Sequence, residues 1–100
     1  MAEIVWTLEA ARCLEDIHDY IAADNPTAAH KVVSGIYDKI QLLRAHPRLG
    51  QRYEPIVDRE VRETLYGHYR IAYLIVNEQR VEILGIFHGA MDIERYLQWR

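Results

Sequence analysis

Residues 61–88 leave this chain few folds to choose from. Val61–Tyr66, residues 69–76 and residues 81–87 are three runs rich in Ile, Val, Leu and Tyr, the composition of strands. Gly67-His68 supplies a turn between the first two, and the polar stretch Asn77-Glu78-Gln79-Arg80 separates the second from the third, long enough for a hairpin. Alternation places Tyr69, Ile71, Tyr73 and Ile75 on one face and Arg70, Ala72, Leu74 and Val76 on the other, while Arg62, Thr64 and Tyr66 share a face of their strand. Three adjacent strands need an apolar cover to be stable.

The first half of the chain is patterned to provide that cover. Glu3–Trp6 is one short β-prone run, and Thr7 after it can cap a helix by accepting from an orphan backbone amide. Ala10, Leu14, Ile17 and Ile21 then recur at helical spacing, with Glu9, Glu15, Asp16 and Asp19 off the stripe; a helix is expected over residues 8–23. Asp24-Asn25-Pro26 stops it and starts another, Asn25 capping and proline sitting where its missing N–H costs nothing. Ala29, Val33, Ile36, Ile40 and Leu43 form the second stripe. The short break predicts an antiparallel helix hairpin. Gly35, unfavourable inside a helix by about 1 kcal/mol relative to alanine, reads as a point of close helix packing. "HPRLG" at 46–50 ends the second helix, residues 51–60 show no period and read as a surface connection, and Asp92 can cap a short last helix over Ile93–Trp99. The expected fold is one α+β domain over residues 1–100: an N-terminal strand, a two-helix hairpin on a mainly antiparallel sheet, and a short C-terminal helix.

Half the residues are hydrophobic and 27% charged, too apolar for disorder. No uncharged apolar run approaches the roughly 18–20 residues of a membrane span, and the N-terminus lacks a basic patch followed by an apolar stretch, so no secretory signal is expected. The single Cys13 cannot form an internal disulfide, and a cytoplasmic setting is expected. The net charge of −3 runs against nucleic-acid binding, which draws most of its affinity from a basic excess. The charge is uneven: residues 1–43 sum to −4, whereas residues 44–70 hold six arginines against four acids. An arginine-rich middle on an acidic domain suits a protein partner better than a polynucleotide, and sequence-specific nucleic-acid binding is not expected.

Few groups point to chemistry. The five histidines, 18, 30, 46, 68 and 88, lack helical i, i+4 pairing and Cys13 lacks a Cys-x-x-Cys partner, so neither a metal nor a cofactor is expected. Cys13 beside Arg12 could favour a thiolate, or be an inert half-buried thiol. No phosphate loop, nucleophile elbow or dinucleotide fingerprint occurs. Hairpin pairing could bring Arg62, Arg70 and His88 to one surface with Tyr96 nearby, a set able to stabilise a phosphoryl transition state and move a proton. Alternatively the arginines pair with Glu60, Glu63 or Glu82. Seven tyrosines against one phenylalanine favour rings with a wet end, which suits interfaces; Tyr20 and Tyr37 off the core stripes, and Tyr53, Tyr66 and Tyr69 on or near the sheet, are the candidates for binding a partner.

In this order, the N-terminal strand, the helix hairpin, "HPRLG", "VRETLYGHYRIAYLI" and "VEILGIFHGAMDIERYL" resemble the RelE/ParE superfamily of small bacterial toxins over nearly the whole chain. The resemblance implies the toxin of a type II toxin–antitoxin module, neutralised by an antitoxin encoded beside it. RelE-like members are ribosome-dependent mRNA endonucleases, relying on basic residues on the sheet, another after the last strand and an acid–base residue near the C-terminus. Arg70 and Tyr96 match that pattern here, but Gly89-Ala90-Met91 stands where the branch places its second basic group. "H-x-x-M-D" followed by an apolar segment looks like the ParE branch, whose members poison DNA gyrase. The resemblance therefore implies a ParE-like gyrase poison with a ParD-like antitoxin bearing a ribbon–helix–helix N-terminus, and target contacts among Arg62, Arg70, His88, Met91 and Asp92. Two alternatives remain: a RelE-like nuclease using Arg62, Arg70, His88 and Tyr96, or an inactive member that only binds its antitoxin.

Overall fold

The computed structural model describes residues 1–89; the expected last helix with its Asp92 cap, and the candidates Met91, Asp92 and Tyr96, lie outside that range. The elements follow in the order β1 (Glu3–Trp6), α1 (Leu8–Ala22), α2 (Pro26–Gln41), a 3-10 turn (Leu42–Arg44), β2 (Gln51–Arg52), β3 (Val61–Tyr66), β4 (Tyr69–Asn77) and β5 (Arg80–His88). Both helix starts carry the predicted caps: Thr7 accepts from the Ala10 amide and Asn25 from the Ala28 amide. Among the described residues no helix is long and apolar enough to cross a membrane.

The sheet has the order β1-β5-β4-β3-β2. β3, β4 and β5 form the expected antiparallel meander, and β1 joins its edge in parallel with β5. The first difference from expectation is β2: Gln51 and Arg52 pair antiparallel with Glu63 and Arg62. Two exposed polar residues leave no period to read, so only the fold reveals this strand. The second is the hairpin turn, which tightens to Glu78-Gln79 because β4 runs on to Asn77, whose Oδ1 accepts from the Gln79 amide at 2.8 Å.

Alternation divides the sheet as the sequence predicts. Ile71, Tyr73, Ile75, Val81, Ile83 and Ile86 face the helices and pack with Ala10, Ile36, Ile40 and Leu43. Val61, Ala72, Leu84 and Phe87 form a second cluster on the other face, joined by Tyr53, Ile56 and Leu74. A bulge makes both sets possible: Ala72 pairs with Gly85 but Tyr73 pairs with Ile83, so β5 spends one extra residue, Leu84, between them. The extra residue resets which side chains point outward. Gly85 lies under the Phe87 ring, which occupies the space a Cβ would need.

Gly35 is a correction of a similar kind. Its missing side chain makes room not for the other helix but for Tyr66 of β3, whose ring and hydroxyl occupy the Cβ position.

Candidate functional site

The polar architecture is concentrated where "HPRLG" crosses one end of the sheet. Tyr73 is fully buried on the helix face, and its hydroxyl donates to the Pro47 carbonyl at 2.7 Å and accepts from the Gly50 amide at 2.9 Å. Burial pushes this phenol up from its ordinary value, which keeps the donating proton in place. Its cross-strand partner Arg62 donates from Nη1 to the Gly50 carbonyl at 2.7 Å. Both peptide groups of Gly50 are thus held by two neighbouring side chains of the sheet.

An ion-pair chain continues outward. Arg62 Nε lies 2.8 Å from Glu60 Oε2, Arg48 reaches both Glu60 oxygens at 3.1 Å, and Arg48 also holds Glu78 of the β4–β5 turn at 3.1 Å. Burial raises the Glu60 carboxyl, but the hydrogen bonds from Arg62 and Arg48 outweigh it and the net shift is downward. A carboxyl depressed in the folded state contributes stability that is present above its unfolded value, near 4.3 for glutamate, and is lost as pH falls through the folded value. Glu60→Gln should therefore be less stable than the parent at neutral pH, with the gap closing below about pH 4. Denaturation midpoints measured across the acid range check this; a gap unchanged down to about pH 3 would count against the pairing.

Of the sequence-derived phosphate cluster, Arg62, Arg70 and His88 do not converge, and Tyr96 lies outside the described residues. Arg62 faces the helix side with Tyr73, whereas Arg70 lies on the opposite face, where Nη2 meets Glu63 Oε2 at 3.0 Å and Nη1 reaches the Gly89 carbonyl at 3.3 Å. His88 returns to the helix side, its ring edge-on to Tyr69 at 5.2 Å, but it pairs with Tyr69 while Arg62 pairs with Tyr73, four residues along β4. The three residues occupy two faces and two ends. Both arginines instead hold glutamates, Arg62 with Glu60 and Arg70 with Glu63, as the alternative reading had it. Cys13 is half-buried, and burial raises its thiol above the ordinary value, which disfavours the thiolate.

The apolar surface is on the hairpin. Trp6, Ala11, Leu14, Val33 and Tyr37 line a groove of about 410 Å³, with Glu15 and His18 also on its wall. Tyr37 is 49% exposed and Tyr20 84%, so both rings stand at the surface. Tyr66 is taken up under Gly35, Tyr69 packs partly into the helix-side core, and Tyr53 packs on the second cluster. Sequence reasoning placed Leu14 and Val33 on core stripes; both are half-buried, Leu14 packs against the helix-side core, and both also line the groove. Trp6 and the off-stripe Tyr37 were the only signals of it.

A family model described as the ParE toxin of the type II toxin–antitoxin system parDE matches residues 4–93. The chain belongs to the ParE toxin family. It is 37% identical over 88 residues to a curated Sinorhizobium fredii protein that carries a toxin's name, Y4kP, covering 86% of each. Among solved structures it is similar to a chain of the chromosomal ParDE TA system from P. aeruginosa, with a TM-score of 0.73 at 24% identity, over 89% of this chain and 97% of that one; that likeness speaks for the fold. This ParE-type toxin therefore carries the superfamily fold with a helix-side groove and an ion-paired sheet end.

Proposed function

We propose that this ParE-type toxin acts by poisoning DNA gyrase and is neutralised by a ParD-like antitoxin. The observation that carries the target is the separation of Arg62, Arg70 and His88. A nuclease must gather cations around one developing phosphorane, where a single well-placed donor is worth about 2.7–4 kcal/mol of barrier. Here each arginine is held by its own glutamate, on opposite faces of the sheet. The negative net charge also opposes docking among ribosomal phosphates. A protein target has neither requirement. Within the gyrase reading, Arg62, Arg70, His88, Met91 and Asp92 are the candidate contacts.

For the antitoxin, the groove between Trp6, Leu14, Val33 and Tyr37 has the apolar lining that an amphipathic helix uses, and Tyr20 and Tyr37 are exposed anchors beside it. The match to the toxin family of the parDE system supports a ParD-like partner for this chain.

Induced expression without antitoxin, followed by supercoiling and cleavage assays on purified gyrase, tests the target. Lost supercoiling or trapped cleaved DNA is expected, with Arg70→Ala changing potency without creating or removing RNA cleavage. Codon-phased mRNA cuts with gyrase untouched would overturn the reading in favour of the nuclease, and normal growth after strong induction would favour an inactive antitoxin binder. Leu14→Lys on the groove should release the toxin from neutralisation while leaving gyrase inhibition intact.

A further inference from the structure

Spacing along the chain separates the histidines, yet the fold brings two of them together. His68 sits in the β3–β4 turn and His88 ends β5, and the Gly89 amide donates to the His68 carbonyl at 2.8 Å, tying the turn to the strand end. Their ring centroids are 6.2 Å apart, with planes inclined by 52°. Both side chains are exposed. Among the described residues, no hydrogen bond or ion pair engages either imidazole. The Tyr69 ring stands edge-on against His88 and limits how that imidazole can turn.

We propose that His68 and His88 form a two-imidazole chelate for a late first-row divalent cation such as Ni²⁺, Cu²⁺ or Zn²⁺. Two imidazoles that bind one ion through nitrogens at about 2.0–2.1 Å hold their centroids roughly 4.5–6 Å apart, depending on the angle at the metal. Side-chain rotation of these two exposed rings would bring the observed 6.2 Å separation into that range. Imidazole selects these cations over Mg²⁺ and Ca²⁺, which prefer oxygen. Among the described residues no group of three or more His, Cys, Asp or Glu converges on one point, so water completes the coordination. The site is open and exchangeable, unlike a closed structural zinc site. Glu9 and Asp16 of α1 line the pocket that His88 enters, alongside Arg12, and two carboxylates against one guanidinium leave a local potential that favours a cation. A bound ion clips the β3–β4 turn to the end of β5, which stabilises the native chain by mass action.

The test uses the untagged chain, titrated with NiCl₂ by calorimetry and followed by thermal unfolding. One Ni²⁺ per chain and a raised Tm are expected. His68→Ala and His88→Ala should each weaken binding by about tenfold or more, the scale on which even supporting partners of metal ligands act. His30→Ala, an exposed histidine on α2 away from this turn, should leave affinity unchanged. Mg²⁺ should not compete. Equal Ni²⁺ affinity in the parent and both variants would overturn the proposal, as would a failure to saturate at roughly millimolar Ni²⁺. None of these outcomes depends on gyrase or antitoxin binding.

Discussion

Gly50→Ala is expected to destabilise the fold by about 3 kcal/mol or more, at the upper end of what overpacking costs. A Cβ at this position would lie 2.5 Å from the Glu63 carbonyl oxygen and 2.8 Å from the Tyr73 hydroxyl. The first neighbour is backbone in β3, locked between β2 and β4 by the pairing of Glu63 with Gln51 and Ala72. The loop must therefore move. Moving it breaks the amide bond to Tyr73 and the carbonyl bond from Arg62 together. For a domain of this size the drop in Tm should be roughly 12 °C or more. Tyr73→Phe removes only the hydroxyl, leaving the Gly50 amide and Pro47 carbonyl short of a partner, and should cost about 1–3 kcal/mol. Because both changes undo the same contact, the double variant should cost less than the two single losses combined. Gly67→Ala is the control: its φ of +59° has open space around it, so only left-handed backbone strain of about 1–2 kcal/mol applies. Denaturant unfolding of the four variants checks the ranking; a Gly50→Ala protein as stable as Gly67→Ala would refute the seat described for this loop.

The same loop shows how far the sequence could be read. "HPRLG" is legible as a helix stop, because proline and glycine act locally. Its role as the seat of Tyr73 is not, because that contact spans 23 residues in the chain and a tyrosine among Ile71 and Ile75 reads only as one more core position. The meander, the helix stripes and both caps depend on short-range periodicity and were recoverable for that reason. The Leu84 bulge and β2 were not: one extra residue in an apolar run, and two polar residues beside a strand, carry no periodic signature. The convergence of side chains from different strands was the least legible. Face assignments for Arg62 and Arg70 were correct strand by strand, but whether the faces coincide depends on register between strands, which alternation alone does not supply. The histidine pair was missed for the same reason, since His68 and His88 meet only through the register of β4 on β5.

Gly35→Ala should show the opposite sign in two backgrounds. In an exposed helix interior this substitution stabilises by up to about 1 kcal/mol. Here the new methyl would displace the Tyr66 ring, which packs against the helix-side core. Pushing out an aromatic forfeits part of the roughly 1.5–3 kcal/mol that burying a large side chain contributes, so in the parent the change should destabilise by about 1 kcal/mol. With Tyr66→Ala already in place the obstruction is gone. The methyl then fills vacated space and relieves the helix of its glycine, so the substitution should stabilise. The coupling between the two sites should fall in the range of about 1–3 kcal/mol expected for residues in direct contact. The same sign in both backgrounds would show that the glycine serves some other neighbour. The interlock also bears on the toxin's partner. Tyr66 is half-buried with its ring packed under Gly35, whereas Tyr37 stands on the groove wall and is 49% exposed. Tyr37→Ala should therefore weaken neutralisation in a pull-down with the antitoxin by about tenfold or more, the scale of an interface hot spot, while Tyr66→Phe, which keeps the packed ring, should leave it unchanged.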